Sequence, residues 1–570
     1  MGHFISDRDK WWPGNRIPFV VDSTAAGMQA AIQGAIAQWN GVNFVQYVPM
    51  QPSDGDLVIF AAGEGCQSPV GKQGGRQLIT CKGNNVPDLM HEMGHAAGLL
   101  HEQSRPDRQR HVGVNLANIP PEKQHNFEIS SDSSIFGEYD FTSLMHYGRN
   151  FFAYDDREPT LFIPSTAPLP GSTLSAGDLA ALAFMYTGWQ MDFPAELSPE
   201  PSLRFQKSPA VFPTDWKKNE KAIYALTLEG QLTQIWDNNP GGAGWHLDFP
   251  ASLAGNPDIR FQGRVAIFPR SAAQNKKSIY AITVEGRLAQ IWDTDVWNID
   301  YPAEISGHPD LRFMGSPAVF PTHAEKNEKS IYALTSDGRL AQIWDNNPGG
   351  AGWHLDFPAE LAGYPGMRFK SGPVAFVVDP RRNLKSIYAI TTDGRLAQIW
   401  DYARGVRQWN LDFPAEAAGH DTLRFQGELA VFPTNALRNE KAIYALSTDG
   451  RMAQIWDNNP GGAGWHLDFP TELAGHPDLR FQEGPTVVPT DASKNQKCIY
   501  LITVEGQLVQ TWDSNPRGPG WHLDFPANLS GQAALNFHGR CAVFARDSVS
   551  NKKSIYSVTS DGRLVQLWDR

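Results

Sequence analysis

The sequence has little cysteine, no excess of positive charge and no long apolar run, and each shortage narrows the class of protein. Four cysteines among 570 residues are too few for a disulfide scaffold, although one pair can still bridge. A formal net charge of -12 argues against non-specific binding to nucleic acid or to anionic membrane. No apolar run approaches the ~20 residues that span a bilayer, so no membrane span is expected. The first residues, MGHFISDRDKWWPG, contain no hydrophobic signal-peptide core.

The second half of the chain is a repeat. Each unit contains four short runs typical of strands, namely PAVFP, SIYALT, RLAQIWD and WHLDFP. An acidic residue followed by glycine, as at Asp337-Gly338, separates the second run from the third and predicts a hairpin turn. The motif WxxDFP, once with Tyr for Phe, recurs at steps of 56 residues and once of 52; its copies begin at Trp189, Trp245, Trp297, Trp353, Trp409, Trp465 and Trp521. A fixed period of this kind predicts a seven-bladed β-propeller of four-stranded blades over residues 189–570.

The two ends of the repeat complement each other. The chain ends at Arg570, directly after a copy of the third strand, while the extra copy of the fourth strand comes first, at residues 189–194. We expect this first strand to complete the last blade. Residues 1–188 instead mix strand and helix patterns, which predicts an α+β domain. Ser175 and Asp178 form a capping-box pattern before a final helix that ends near Gly188.

Candidate metal-binding and catalytic residues lie in one stretch, residues 91–101, with the sequence HEMGHAAGLLH. In a helix, His91 and His95 share one face one turn apart, and Gly98 can adopt the left-handed conformation that ends the helix and returns His101 to the same point. Three imidazoles can hold one Zn²⁺ and leave a position for water, whose pKa the metal lowers. Glu92 is then the expected general base. The full pattern HExxHxxGxxH is that of the metzincin proteases.

The N-terminal half also resembles one metzincin family, the astacin zinc metalloendopeptidases. The matching stretches are WWPGNRIPFVV, GCQSPVGKQGGRQLITC, HEQSRPDR and SLMHYG, and the resemblance spans nearly all of residues 10–188. It implies that His91, His95 and His101 bind zinc, that Glu92 is the general base and that Met145 forms the methionine turn beneath the metal. It further implies that Tyr147 is an additional zinc ligand acting on the transition state, and that Glu102 contacts the buried mature N-terminus.

The resemblance also bears on the cysteines and on location. It implies a disulfide between Cys66 and Cys81, which would stabilise the fold by on the order of 3 kcal/mol if oxidised. A second family disulfide and an inhibitory propeptide are not seen in the sequence, so the chain resembles an already mature, secreted enzyme. Cys498 and Cys541 lie in the repeats, where we expect buried free thiols.

The propeller resembles lectin propellers of the tectonin and fungal fucose-lectin kinds, on the texture of stretches such as IYALTSDGRLAQIWD. The repeated Trp-Asp pairs suit either sugar binding or the packing of blades. The divergent loops at 294–296 and 402–408 are candidate contact regions. The chain is therefore interpreted as a secreted zinc endopeptidase acting on protein or peptide, with a propeller that targets it to carbohydrate. The alternatives are a propeller that docks protein without binding sugar, and a lectin with a weakly active protease domain.

Overall fold

The structure is a computed structural model that describes the chain from Gly2 to Asp569 with short gaps. Outside the described residues are 43, 131–132, 137–138, 187–188, 216–219, 238–244, 272–275, 294–295, 324–327, 347–351, 380–383, 402–408, 436–439, 459–463, 492–495, 514–519, 531, 533 and 548–551. The divergent loop at 402–408 and most of the loop at 294–296 therefore lie outside them. The chain divides into two compact units, which are Met1–Gln190 with Ala527–Ala534 and Asp569–Arg570, and Met191–Pro526 with Leu535–Trp568.

The first unit has the predicted α+β composition. Its strands and α-helices are β1 (Gly2–Ile5), β2 (Arg16–Val21), α1 (Gln29–Asn40), β3 (Gln46–Pro49), β4 (Leu57–Ala62), β5 (Arg76–Cys81), α2 (Val86–Ala97), β6 (Gly113–Val114), β7 (Ser133–Phe136), β8 (Leu161–Phe162) and α3 (Ala176–Tyr186). Short 3₁₀ turns cover Arg8–Lys10, Pro13–Asn15, Ser23–Met28, Glu102–Ser104, Arg108–Arg110, Leu116–Asn118 and Pro121–Phe127. The capping box before α3 is confirmed, because the Asp178 amide donates to Ser175 Oγ and the Ser175 amide donates to the Asp178 carboxylate, both at 3.0 Å.

The sheet of this unit is parallel, in the order β3-β2-β4-β5. Parallel neighbours need a crossover connection, and α1 supplies the one between β2 and β3. The sheet and α1 share a core in which Trp39 meets Tyr47 edge to face at 5.6 Å between ring centroids. The Tyr47 hydroxyl donates to the Met93 carbonyl of α2 at 2.8 Å, so the helix that carries the histidines is tied to this core.

The N-terminal strand β1 was not predicted. It pairs antiparallel with β7, in the register Gly2 with Phe136 and Ile5 with Ser133. Phe4 and His3 are buried, and a Cβ at Gly2 would come within 2.6 Å of Ala181 Cβ. The first residues of the chain are therefore part of the packed domain.

The second half is a seven-bladed propeller, as predicted. Its opening strand is β9 (Trp189–Asp192). The first three blades are β10 (Ala210–Asp215), β11 (Glu220–Leu226), β12 (Leu232–Asp237) and β13 (Trp245–Asp248); β14 (Phe261–Ser271), β15 (Lys276–Thr283), β16 (Leu288–Asp293) and β17 (Trp297–Asp300); β18 (Phe313–His323), β19 (Glu328–Thr335), β20 (Leu340–Asp345) and β21 (Trp353–Asp356).

The remaining blades have the same plan. They are β22 (Val374–Asp379), β23 (Leu384–Ile390), β24 (Leu396–Asp401) and β25 (Trp409–Asp412); β26 (Phe425–Asn435), β27 (Glu440–Ser447), β28 (Met452–Asp457) and β29 (Trp465–Asp468); β30 (Thr486–Asp491), β31 (Gln496–Ile502), β32 (Leu508–Asp513) and β33 (Trp521–Asp524); β34 (Phe537–Asp547), β35 (Lys552–Thr559) and β36 (Leu564–Asp569). Every blade is one four-stranded sheet, and in the seventh the order is β34-β35-β36-β9.

The sequence pattern did not reveal one feature of the repeats, a helical turn that follows the fourth strand in each of the first six blades. These turns are α4 (Pro250–Leu253), α5 (Pro302–Ile305), α6 (Pro358–Leu361), α7 (Pro414–Ala417), α8 (Pro470–Leu473) and α9 (Pro526–Leu529). Each begins at the proline of the DFP or DYP motif, where the fixed φ of proline suits the first helical position. A single turn of four residues is too short to produce a helical periodicity in the sequence, so the pattern did not reveal it.

The sequence explains the blade geometry. Asp337-Gly338 forms the expected tight turn, with φ of 81° at Gly338, a conformation that glycine adopts without a steric penalty. Five of the seven inner strands contain proline, as at Pro321, which an edge strand tolerates, and the register shifts directly after Pro321. One fully buried tyrosine per blade fills the space between sheets; these are Tyr224, Tyr280, Tyr332, Tyr388, Tyr444, Tyr500 and Tyr556.

No helix among the described residues is long and apolar enough to cross a bilayer.

Candidate metal centre

Helix α2 places the first two histidines, and its end places the third. Pro87 lies in its first turn, and Gly98 ends it with φ of 108°. The Leu99 amide donates to the Gly94 carbonyl at 2.9 Å, so the chain turns back directly after the helix. A Cβ at Gly98 would also come within 2.5 Å of Met185 Cε, so a larger residue would displace that side chain, and the positive φ favours glycine in any case.

The three predicted histidines meet with their Nε2 atoms together. His101 Nε2 lies 3.2 Å from His91 Nε2 and 3.0 Å from His95 Nε2. The Nδ1 atoms point outward, where that of His91 donates to the Leu144 carbonyl at 2.8 Å and that of His95 to the Leu99 carbonyl at 2.9 Å. A donating Nδ1 leaves Nε2 as the free lone pair, which is the form that binds a metal.

The electrostatics favour the neutral imidazoles that a metal needs. Burial lowers the pKa of His91, and burial together with the neighbouring His91 lowers the pKa of His95 to about 3. The pKa of His101 is also far below its ordinary value, through burial and then through repulsion from His95 and His91. Among the described residues, this is the group of metal-binding side chains whose ligand atoms all lie within 4.8 Å of one another. Three converging nitrogens of this kind fit zinc.

Glu92 lies beside the triad as a buried carboxylate. It is 6% exposed, and its Oε2 is buried without a hydrogen-bond partner among the described residues. Burial, and then the negative charge of Asp88, raise the pKa of Glu92 to about 8. A buried polar atom without a partner calls for an explanation, and here the explanation is a site built to hold a ligand.

Met145 packs beneath helix α2. A Cβ at Gly94 would come within 2.7 Å of Met145 Sδ, so the sulfur lies directly against the helix backbone between the first two histidines. The turn is held by Asp178 of α3, which accepts from Ser143 Oγ at 2.6 Å and from the Leu144 amide at 2.9 Å. The sequence identified Asp178 only as a helix cap, so this second role was missed.

Tyr147 lies against the third histidine, with 4.4 Å between the Tyr147 and His101 ring centroids. Its ring stacks on Phe151 at 4.4 Å, and its amide donates to Gln103 Oε1 at 3.0 Å. Burial, and then the charge of Glu92, raise the pKa of Tyr147 above its ordinary value, so its hydroxyl keeps its proton at neutral pH. The structure thus brings Tyr147, Glu92 and the histidines together.

Glu102 is buried in an ion pair that the sequence did not predict. It accepts from Arg105 at 3.0 Å and from the Asp140 amide at 2.9 Å. Arg105 is itself 1% exposed and also pairs with Asp107 at 2.8 Å. These residues belong to the stretch HEQSRPDR. Its charged residues are the signal from which the ion pairs could have been predicted. The expected contact of Glu102 with the buried mature N-terminus stays a prediction.

The cysteines remain unbridged in the structure. Cys66 and Cys81 are free, and their thiols are hydrogen-bonding neighbours, so the pair is close but the disulfide stays a prediction. Cys498 and Cys541 are buried thiols, as expected.

Comparison with known proteins places the first unit in a family. Residues 4–187 match the model of the Astacin peptidase family. Residues 4–187 are an astacin-family metallopeptidase domain. Among its relatives, mouse tolloid-like protein 2 is 34% identical over 194 residues, which is 32% of this chain and 19% of the relative. High choriolytic enzyme 1 of Oryzias latipes is 34% identical over 143 residues, 24% of this chain and 52% of the relative. The chain therefore spans about a fifth of the length of tolloid-like protein 2 and about half of the length of high choriolytic enzyme 1.

The astacin family is zinc-dependent, and the histidine triad of this astacin domain has the donors to bind a metal. For the propeller, the comparison of structures finds the BP39L lectin from Burkholderia pseudomallei. It is 14% identical, with a TM-score of 0.45, over 64% of this chain and 98% of that one.

The repeated Trp-Asp pairs outside the astacin domain are used within the blades. Trp236 Nε1 donates to the Asp248 carboxylate at 2.6 Å, and one face of its ring stacks on His246 at 4.2 Å. Equivalent Trp-His stacks occur at Trp344, Trp456 and Trp512. This geometry favours the interpretation that these tryptophans pack blades.

Proposed function

We propose that the chain is a zinc-dependent endopeptidase that holds one Zn²⁺ on His91, His95 and His101. The observation that carries the proposal is the meeting of three neutral imidazoles beside a buried, unpartnered oxygen of Glu92. When bound to three histidines, zinc lowers the pKa of a water molecule to about 7 and polarises a carbonyl group.

In the proposed reaction, the chain's own groups move the protons and stabilise the charge. Glu92 accepts a proton as water attacks the peptide carbonyl and then passes it to the leaving amine. Tyr147, protonated and adjacent to His101, donates its hydroxyl hydrogen to the oxyanion that develops at the carbonyl oxygen. Met145 supports the histidines from below.

Three further assignments accompany this proposal. The catalytic domain comprises residues 1–188 and the propeller residues 189–570, with the strand at 189–194 closing the last blade. Cys66 and Cys81 form a disulfide, which their adjacent thiols permit, and the enzyme works outside the cell, where such a bond persists. Glu102 anchors the first residues of the chain to the base of the site.

Casein cleavage tests the catalytic proposal. The full chain should cleave casein, lose that activity after a chelator removes metal, and regain it when one equivalent of Zn²⁺ is added back. Glu92→Ala should stay inactive in all three states. Activity that survives chelation, or that Glu92→Ala retains, would contradict the mechanism. A full chain that binds zinc but does not cleave casein would favour a lectin with a weakly active protease domain.

A second proposed function is carbohydrate binding by the propeller. Its support is a repeated group in which an arginine lies over an aromatic ring and pairs with a glutamate. In one such group Arg287 lies 3.3 Å from the Tyr301 centroid and pairs with Glu304. Equivalent groups are Arg395 with Phe413 and Glu416, and Arg563 with Phe193 and Glu196. Aromatic faces beside charged hydrogen-bonding groups suit sugars.

A glycan array probed with full-length Glu92→Gln tests the second function, because that variant cannot digest itself. Binding that Arg395→Gln weakens and that an exposed control, Arg157→Gln, leaves intact would support it. An array with no binding would favour the alternative, a propeller that docks protein substrates and binds no sugar.

A further inference from the structure

Three charged residues from non-adjacent blades meet at the centre of the propeller. They are Arg264 on β14, Glu428 on β26 and Arg540 on β34, in the second, fifth and seventh blades. Arg264 Nη1 donates to Glu428 Oε2 at 2.8 Å, and Arg540 Nη1 donates to the same oxygen at 3.0 Å. Side chains from blades that are not neighbours in a ring can touch only at its axis, so the three residues mark the central channel.

The repeat itself supplies the signal for this cluster. All three occupy one position, three residues after the phenylalanine that opens the inner strand. Its seven occupants are Ser208, Arg264, Ser316, Gly372, Glu428, Gly484 and Arg540. The surrounding motifs repeat closely while this position carries small residues and three charges. The three charges are therefore a feature of the central axis and not of the repeated blade.

The cluster of Arg264, Arg540 and Glu428 holds two positive charges and one negative charge, while a separate ion pair joins Lys207 of the first repeat to Glu483 of the sixth. Glu428 is fully used, since its Oε1 accepts from Ser316 Oγ at 2.7 Å and its Oε2 accepts from both arginines. Among the described residues, Glu428 is the carboxylate that pairs with these guanidinium groups. Attraction to Arg264 and Arg540 outweighs burial and holds the pKa of Glu428 at about 2, so it is ionised. The cluster therefore carries a net charge of about +1.

The arginines of the cluster also have an N–H group that is not used in a hydrogen bond among the described residues. Arg264 Nε is buried and has no partner within the described chain. Arg540 is better satisfied, because its Nε donates to Thr486 Oγ1 at 3.1 Å and its Nη1 also reaches the Leu429 carbonyl at 3.1 Å. Burial, and then repulsion from Arg264, lower the pKa of Arg540 to about 10, so a second negative charge would relieve this group. The Arg264 side chain is 23% exposed and thus within reach of solvent.

We propose that the centre of the propeller binds one small oxyanion, a phosphate, sulfate or carboxylate group, held by Arg264 with Arg540. The planar guanidinium group can donate two parallel N–H bonds to two oxygens of such an anion, and these hydrogen bonds are charge-assisted. The bound anion completes the charge balance of the axis and ties the second blade to the seventh. This inference concerns the propeller alone and does not depend on the proteolytic proposal.

Two substitutions of opposite effect test it on the full chain. Calorimetric titration with inorganic phosphate at constant ionic strength should show one saturable site per chain. Arg264→Gln leaves a balanced pair and should weaken binding about tenfold or more, whereas Glu428→Gln raises the excess charge and should strengthen it about tenfold. Arg157→Gln removes an exposed arginine that pairs with Asp155 and should leave phosphate binding unchanged. The histidine triad is identical in all of these proteins, so binding there is common to all.

Several outcomes would overturn the proposal. Equal phosphate binding by the wild type and Arg264→Gln would show that the anion binds elsewhere, and weakening by both axial variants would show that the cluster is only structural. Repeating the titration with sulfate, acetate and chloride distinguishes oxyanions from halide. If the axial variants fail to fold, Arg264→Lys keeps the charge without the planar fork and should bind more weakly. Crystals of the wild type soaked in selenate, an oxyanion, should also show anomalous density at Arg264, and its absence would contradict the site.

Discussion

The metal centre and the propeller use buried charge in opposite ways. At the metal centre Glu92 is buried with one oxygen unpartnered, next to imidazoles that burial keeps neutral. In the propeller a buried lysine of each of the first six blades meets an aspartate, as Lys329 meets Asp345 at 3.3 Å. An unpaired buried group is available to react with a substrate or ligand. A buried ion pair instead connects neighbouring strands. Substitutions at the two kinds of site should therefore separate activity from stability.

The largest effect is expected at Glu92. Glu92→Gln keeps the size of the side chain and removes the base, so kcat should fall by up to about 10⁴-fold. Zinc content, measured by atomic absorption, should stay near one per chain, and the melting temperature should not fall. Glu122→Gln, an exposed change in the same domain, is the control and should keep full activity. Substantial turnover by Glu92→Gln would show that another residue is the base.

Tyr147→Phe should have the next largest effect. The hydroxyl is proposed to act on the oxyanion, so its loss should lower kcat by on the order of 10²-fold and leave KM nearly unchanged. Steady-state kinetics on a short peptide measures both constants. Tyr154→Phe, at an exposed tyrosine, serves as the comparison. A rise in KM alone would place Tyr147 in substrate binding.

Breaking a lysine pair in the propeller should cost stability and spare activity on small peptides. Lys329→Met removes the ammonium group that faces Asp345, whose side chain is 5% exposed, so the free energy of unfolding should fall by about 3 kcal/mol. Lys385→Met should cost less, because its partner Asp401 is 3.9 Å away and 21% exposed. Denaturant unfolding compares the two variants. Equal losses would mean that partner burial does not set the cost.

The smallest effect is expected from the pH dependence of the propeller. Burial raises the pKa of Asp412 to about 7, against 3.8 for an ordinary aspartate. The folded state then holds a proton that the unfolded state releases, so stability from this group is full below pH 4 and lost as pH rises through 7. Asp412→Asn should reduce the fall in stability between pH 5 and pH 8 by about 1 kcal/mol. Thermal unfolding at several pH values measures the effect. The exposed control, Asp421→Asn, should leave the change of melting temperature with pH as it is in the wild type.

The sequence predicted the parts of the molecule whose signals are local. Helix α2 and its terminal glycine were predictable because His91, His95 and His101 are close in the chain and obey helical spacing. The blades were predictable because each pairs strands that follow one another. Strand β1 was missed because its partner β7 lies more than a hundred residues away, and no local pattern encodes that pairing. The burial of Arg105 and the meeting of Arg264 with Glu428 depend on the assembled fold in the same way.

The seventh blade sets a timetable for synthesis. Its outer strand β9 is made first, and the strand beside it, β36, is made last, about 370 residues later. At a ribosomal rate of about 5–20 residues per second, β9 waits tens of seconds for its partner. During that interval the six complete blades can form while the ring stays open, with unpaired strand edges at both ends. A chain that lacks β36 therefore leaves β9 without its neighbouring strand in the seventh blade.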